Sequence, residues 1–237
     1  MLKRREEIWR LSSDEWLSVS IDQVVDKSKT CMVLLHGLSG DKIGPQGLLS
    51  NLSKYICENC NIKVVRFDFR GSGLSSSKFI KTSLHSMCED ALFVANNISE
   101  TIIWSGISTG ALIAIMAAAK RGENETMLAI SNGFAEKVEF NDLGITPVPI
   151  RGGQLFLEKQ YFDDRAKLFP RKSYFSKLLN KKVVLGSGDL KHYSEIESLK
   201  NFNIDIHVID GADHLFSSLK HRLDLFRKVR QWIDEEK

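Results

Sequence analysis

The chain has 237 residues, 43% of them hydrophobic, enough for one large domain or a core with a modest insertion. A charged fraction of 27% and a net charge of +3, with no basic run interleaved with aromatics, point away from nucleic acid as a partner. No stretch approaches the roughly 20 apolar residues of a membrane span, and the basic opening MLKRREEIWRL lacks the apolar run of a secretory signal. The expected setting is the cytoplasm, with Cys31, Cys57, Cys60 and Cys88 reduced and the sequons at Asn51, Asn97 and Asn124 unglycosylated.

Residues 7–11 and 16–21, separated by Ser12-Ser13-Asp14, read as a hairpin adding antiparallel edge strands. Residues 30–36 form a continuous apolar run with turn formers on both sides, the pattern of a strand buried on both faces of a parallel sheet. Similar runs follow at 62–67, 101–105, 127–131, 182–185 and 204–209, giving eight strands in all. Helix-length patterns occupy 46–57, 83–98, 109–120, 193–201 and 217–235. Cys57 and Cys60 have the spacing of half a metal site or a redox pair, but no second Cys/His pair completes one. Strands alternating with helices imply a mostly parallel sheet flanked by helices. Residues 134–180 break this rhythm with Pro147, Pro149, Pro170, Gly152-Gly153 and several aromatics. They are expected to form a cap or lid inserted into a core of residues 1–133 and 181–237.

The residues that carry chemistry lie at the ends of these strands. Gly106-Ile107-Ser108-Thr109-Gly110 fits G-x-S-x-G between a strand and a helix, the context that projects a serine hydroxyl from the carboxyl edge of a sheet. A serine nucleophile needs a base, and the base an orienting acid. His214, after the last strand, is the expected base. Asp189, ending the strand and turn of residues 182–189, is the expected acid, and the order Ser…Asp…His suits the fold. Asp213, adjoining His214, is the weaker candidate because an immediate neighbour points elsewhere. Two backbone N–H groups must meet the developing oxyanion; those of Thr109 and Leu38 are expected to do so. His36, in the same loop as Leu38, reads as a structural residue that bonds loop backbone. His192 and His207 read as loop and packing residues, and His85 and His221 as surface residues.

The motifs at 34–40, 65–75, 106–110, 186–189 and 211–214 occur in an order that resembles the α/β-hydrolase superfamily. Within it they are similar to the branch of cinnamoyl/feruloyl esterases, monoacylglycerol lipase-like enzymes and serine aminopeptidase-like hydrolases. The likeness covers about three quarters of the chain. It implies the α/β-hydrolase fold, a structural loop built on Asp68, Arg70, Gly71 and Gly73, and a cap that roofs the substrate pocket. Two positions depart from the usual pattern: Ile107 stands where His or another polar residue is common, and Leu190-Lys191-His192-Tyr193 replaces a hydrophobic residue and proline.

The expected activity is hydrolysis of a small-molecule carboxylic ester through an acyl-serine intermediate on Ser108, with no metal or organic cofactor. A rival of the same chemistry is an acyltransferase or thioesterase fed by acyl carrier protein or coenzyme A, because residues 134–182 hold ten Lys/Arg against six Asp/Glu. In that reading Lys167, Arg171, Lys172 and Lys177 greet the acidic carrier. A rival of another class is a non-catalytic binding protein on the same fold. The cap aromatics Phe156, Tyr161 and Phe162 read first as packing and only second as an acyl pocket. Acyl and alcohol specificity and oligomeric state are not legible in the chain.

Overall fold

The computed structural model describes residues 1–24, 28–122, 125–132, 146–167, 172–190, 200 and 202–236. In chain order their strands are β1 (Lys3–Arg10), β2 (Trp16–Gln23), β3 (Thr30–Leu35), β4 (Lys63–Phe67), β5 (Thr101–Ser108), β6 (Glu125–Asn132), β7 (Val148–Ile150), β8 (Leu155–Leu157), β9 (Leu178–Gly186) and β10 (Asp205–Ile209). Their helices are α1 (Leu48–Cys60), α2 (Leu84–Asn96), α3 (Thr109–Arg121), α4 (Lys159–Lys167), α5 (Lys172–Phe175) and α6 (Leu219–Glu235). Eight strands make one sheet in the order β1-β2-β4-β3-β5-β6-β9-β10. Only β2 runs against the others, through antiparallel pairings with β1 and β4.

Side-chain alternation splits the core into two layers. On β3, Cys31, Val33 and Leu35 face a cluster built with α2 and α3, whereas Met32 and Leu34 face one built with α1 and α6. Each fully buried Leu or Val contributes roughly 1.5–3 kcal/mol, which explains the unbroken apolar run of this central strand. The edge strand β1 (KRREEIWR) is mostly exposed, and its charges discourage further strand pairing. Helix α3 is buried along Thr109–Ala119 and apolar on every side. It lies between the sheet, α2 and the short helix α5.

Winding reverses at β3. The chain leaves β3 through α1 toward β4, and crosses back through α2 to β5 on the other side of β3. The loops after β3 and β5 therefore diverge to opposite faces, and a crevice opens at their carboxyl ends, the usual place for a ligand in such sheets.

Within 134–180, residues 134–145 and 168–171 lie outside the described residues. The rest forms the β7–β8 hairpin, α4 and α5, and β9 enters the core sheet at Leu178, inside the segment read as an insertion. Tyr161 and Phe175 are buried, Tyr161 edge-on to Phe162 and Phe175 stacked on Phe202, while Phe156 is exposed. These aromatics pack the segment onto the core. The helix expected at 193–201 falls almost wholly outside the described residues, as do His192 and Arg171, and nothing is described of the Lys167 and Lys172 side chains. Among the described residues no helix is long and apolar enough to cross a membrane.

Candidate active site

Ser108 ends β5 and opens α3 with φ 55° and ψ −121°, a conformation that costs an L-residue roughly 1–3 kcal/mol. Close packing holds it there. A Cβ on Gly106 would stand 2.4 Å from the Gly110 carbonyl group, and one on Gly110 would stand 2.4 Å from the Leu35 carbonyl oxygen and 2.5 Å from that of His36. The two glycines of the motif thus let α3 lie against its own strand and against the end of β3. The β5–β6 ladder slips at the same level: Ile107 pairs with Ile130 and Ser108 with Asn132, leaving Ser131 as an extra, bulged residue at φ 44°.

Asp189 and His214 are brought together by the turns after β9 and β10. The N–H of Ser187 donates to Ile209 O at 3.1 Å and that of Gly188 to Ala212 O at 2.9 Å. The Ser187 hydroxyl accepts from the Gly211 N–H at 2.7 Å and donates to Asp210 Oδ1 at 2.9 Å. A Cβ on Gly186 would fall 2.1 Å from Ala212 O, so this contact too depends on a missing side chain. Across it His214 Nδ1 meets Asp189 Oδ2 at 2.5 Å, with the Asp189 side chain buried. An Nδ1 proton directed at a carboxylate leaves Nε2 unprotonated in the neutral ring, ready to take a proton. The buried Ser131 hydroxyl donates to the His214 carbonyl at 2.7 Å, tying the His214 backbone to the bulge beside Ser108. Asp213 is turned away, its Oδ1 accepting from the Ser217 N–H at 2.7 Å.

The loop after β3 lines the other side. A Cβ on Gly37 would lie 3.4 Å from Ser108 Cβ, so the backbone leading into Leu38 runs directly over the serine. His36 is buried; its Nε2 accepts from the Phe69 N–H at 3.2 Å, which places the ring proton on Nδ1, donated to Gly37 O at 2.8 Å. Burial holds its pKa below the usual histidine value. Asp68 pins the same loop from below: its Oδ1 accepts from the Lys42 N–H at 2.7 Å and its Oδ2 from Lys42 Nζ at 3.0 Å. A Cβ on Gly73 would collide with the Asp68 carboxylate. Arg70 donates to Asp90 Oδ1 at 2.6 Å and pairs with Glu15 and Glu89. The segment 68–76 is thus a brace for the loop that carries Leu38.

Ser108, His214, Leu38, Gly37 and Ile107 line one cleft of about 520 Å³. Thr109, the first residue of α3, is buried beneath it. Ser131 and Arg151 were not singled out by sequence reasoning. Arg151 sits at the tip of the β7–β8 hairpin, lines the cleft, and donates from Nε to the Ser39 hydroxyl at 2.9 Å. The Gly152-Gly153 pair that follows, at φ 65° and 84°, was the only trace of that tip in the sequence. Among the described residues, His207, edge-on to Trp232, and His85, paired with Glu89 on the surface, stand apart from the cleft. All four cysteines are buried thiols outside any disulfide, and Cys57 donates to the Asp22 carbonyl at 3.2 Å. Burial pushes its thiol up to about 12.

No protein-family model and no curated protein sequence matches the chain. Solved structures do match it over nearly its whole length. Est1E from Butyrivibrio proteoclasticus, solved with ferulic acid bound, superposes with a TM-score of 0.78 at 16% identity, covering 94% of this chain and 96% of that one. A hydrolase from Agrobacterium vitis S4 gives 0.79 at 15%, covering 98% and 99%. The mouse alpha/beta hydrolase domain-containing protein 10 gives 0.76 at 15%, covering 98% and 100%. With the strand order, the single reversed strand and the turn at Ser108, these likenesses show that the chain has the α/β-hydrolase fold. At identities this low they define the class by its architecture, and the particular reaction has to be argued from the site.

Proposed function

We propose that this protein is a serine hydrolase that cleaves small-molecule carboxylic esters through an acyl-enzyme on Ser108. The observation that carries the reading is the 2.5 Å contact between His214 Nδ1 and Asp189 Oδ2, with His214 and Ser108 on the wall of the same cleft. His214 Nε2 takes the Ser108 proton as Oγ attacks the ester carbonyl carbon. The N–H groups of Leu38 and Thr109 stabilise the oxyanion, each worth roughly 10²–10³ in rate. The tetrahedral intermediate collapses, the C–O bond to the alcohol breaks, and His214 returns the proton to the departing alkoxide. Water then attacks the acyl-serine, losing its proton to His214, and the acid leaves as Ser108 is regenerated. Asp189 fixes the imidazole tautomer and stabilises its charged form. The β7–β8 hairpin, whose Arg151 lines this cleft, acts as its cap. Four buried cysteines outside any disulfide support a reducing, cytoplasmic setting.

The test is hydrolysis of a p-nitrophenyl ester series from acetate to palmitate by the native protein and Ser108→Ala, with labelling by a fluorophosphonate probe. The expected result is turnover of some chain length and labelling, both lost in the variant, with kcat reduced by about 10⁴-fold or more. Equal turnover by both proteins refutes Ser108 as nucleophile. Labelling without ester turnover points to a carrier thioester as substrate, and neither labelling nor turnover points to a binding role.

A further inference from the structure

The chemical groups lining the cleft are unevenly committed. His36 has both ring nitrogens on backbone partners, and His214 is engaged by Asp189. Asp41 Oδ1 accepts from the N–H groups of Ile43 and Gly44, both at 2.9 Å. Arg151 differs. Its Nε is anchored on the Ser39 hydroxyl, and neither Nη1 nor Nη2 has a hydrogen-bond or ion-pair partner among the described residues. The anchored Nε fixes the guanidinium at the cleft and leaves its two-pronged end unspent. The remaining wall is largely apolar, from Leu38, Pro45, Ile107 and Leu215.

A planar guanidinium with two free prongs matches a carboxylate in bidentate geometry. From this we infer that Arg151 is a specificity-determining residue and that the cleft takes an ester bearing a carboxylate, on its acyl or its alcohol part. The inference rests on the proposed hydrolase reading and narrows its substrate class. Ser39 lies two residues beyond Gly37, at most about 7 Å along an extended backbone, and Gly37 abuts Ser108. The carboxylate therefore sits several bonds from the scissile carbonyl, with the apolar wall covering the carbons between. An uncharged ester of the same shape fills the same wall but leaves the guanidinium to solvent. The discrimination comes from that one pairing, less the repulsion from the Asp41 carboxylate, which lines the same cleft with its Oδ1 held by loop N–H groups.

The experiment compares native protein, Arg151→Met and Arg151→Lys on two matched pairs. These are mono-p-nitrophenyl adipate against p-nitrophenyl hexanoate, and p-acetoxybenzoate against its methyl ester. The native protein is expected to favour the anionic member of one pair by about tenfold in kcat/KM, a partly exposed charge-assisted bond being modest. The ratio falls to about one in Arg151→Met, is partly kept in Arg151→Lys, and narrows as salt is added. A native ratio near one in both pairs, or a preference unchanged in Arg151→Met, overturns the inference. Saturation-transfer NMR with p-acetamidobenzoate and p-acetamidobenzamide, under conditions where neither is turned over, separates binding from chemistry. If no ester is cleaved yet the benzoate outcompetes the benzamide in an Arg151-dependent way, the hydrolase reading fails and the anion subsite stands. If esters are cleaved but the benzamide binds as well as the benzoate, the subsite fails alone.

Discussion

Gly110→Ala tests whether close packing is what holds the nucleophile. Gly110 lies in α3 at ordinary helical angles, so alanine meets no backbone strain and gains about 1 kcal/mol of helix propensity. The obstacle is space. The new methyl would stand 2.4 Å from Leu35 O, 2.5 Å from His36 O and 2.8 Å from Leu35 C, all backbone atoms that cannot rotate away. Ordinary contact requires α3 to withdraw from the end of β3 by about 1 Å, an overpacking that costs roughly 1–3 kcal/mol. The balance is a loss of up to about 2 kcal/mol, or a fall in Tm of up to about 8 °C for a chain of this size. The effect on rate is larger. The same withdrawal carries Ser108 and the Thr109 N–H away from Leu38 and His214, and a 1 Å misplacement costs on the order of 100-fold. Guanidinium melts beside kcat/KM on the best p-nitrophenyl ester measure both. A variant that keeps native turnover and native Tm would show that the approach of α3 to β3 does not set the geometry of Ser108.

Two further outcomes follow from buried polar groups. His36 is held neutral because burial lowers its pKa, so below about pH 6.5 the unfolded chain binds the proton that the folded chain refuses. Stability then falls with pH by up to about 1.4 kcal/mol per unit until the folded value is reached, and the stability gap between native protein and His36→Gln is expected to be smaller at pH 5.5 than at pH 7.5; an equal gap at both removes His36 from the acid response. Asp22, fully buried, accepts from Arg4 at 2.6 Å, Ser53 at 2.5 Å and Arg66 at 2.9 Å. Burial alone would raise its pKa, but these donors more than reverse that, so it stays charged opposite the buried Arg66. Asp22→Asn leaves that arginine poorly compensated and is expected to cost about 3–5 kcal/mol in urea unfolding; a loss below about 1 kcal/mol would mean that solvent reaches the cluster.

The fold was legible where a strand carries its own reason for being buried. The runs at β3, β4 and β9 declare themselves because both faces meet helices, and G-x-S-x-G marks its turn because glycines are the only residues that fit there. The strand β1 was read only from residue 7, yet it pairs with β2 along its whole length from Lys3. Its exposed KRREE half has no apolar face to announce it. Helix α1 was read from Gln46, but Gly44 and Gly47, at φ 77° and 76°, hold a tight turn first, and the helix starts at Leu48. Ser108, Asp189 and His214 stand out in the sequence because each lies at or just beyond the end of a strand. Ser131 does not, since a bulge depends on the register of two strands. Nor do the buried Lys42–Asp68 pair or the Arg151–Ser39 bond, which join residues 26 and 112 positions apart.

The distribution of backbone strain says more about the site than any single contact. Left-handed angles are unfavourable for residues other than glycine and are tolerated best by Asn, as at Asn61 and Asn203; Gln46, Ser77 and Phe216 also adopt them outside the cleft lining. Ser39 at 57°, Ser108 at 55° and Arg151 at 52° all line the cleft, and Ser131 at 44° bonds the His214 carbonyl. Each costs on the order of 1–3 kcal/mol and persists only because its surroundings leave no alternative. For Ser108 the restraint is the glycine-mediated packing of α3, and for Ser131 its hydrogen bond to the His214 carbonyl. Ser131 at the end of β6 is thereby tied to the turn after β10, and the loop after β3 to the β7–β8 hairpin. Loops that served only to connect strands would relax at little cost, so strain retained here implies that these groups work in a fixed mutual geometry. A fixed geometry of this kind is what the proposed acyl transfer on Ser108 would need.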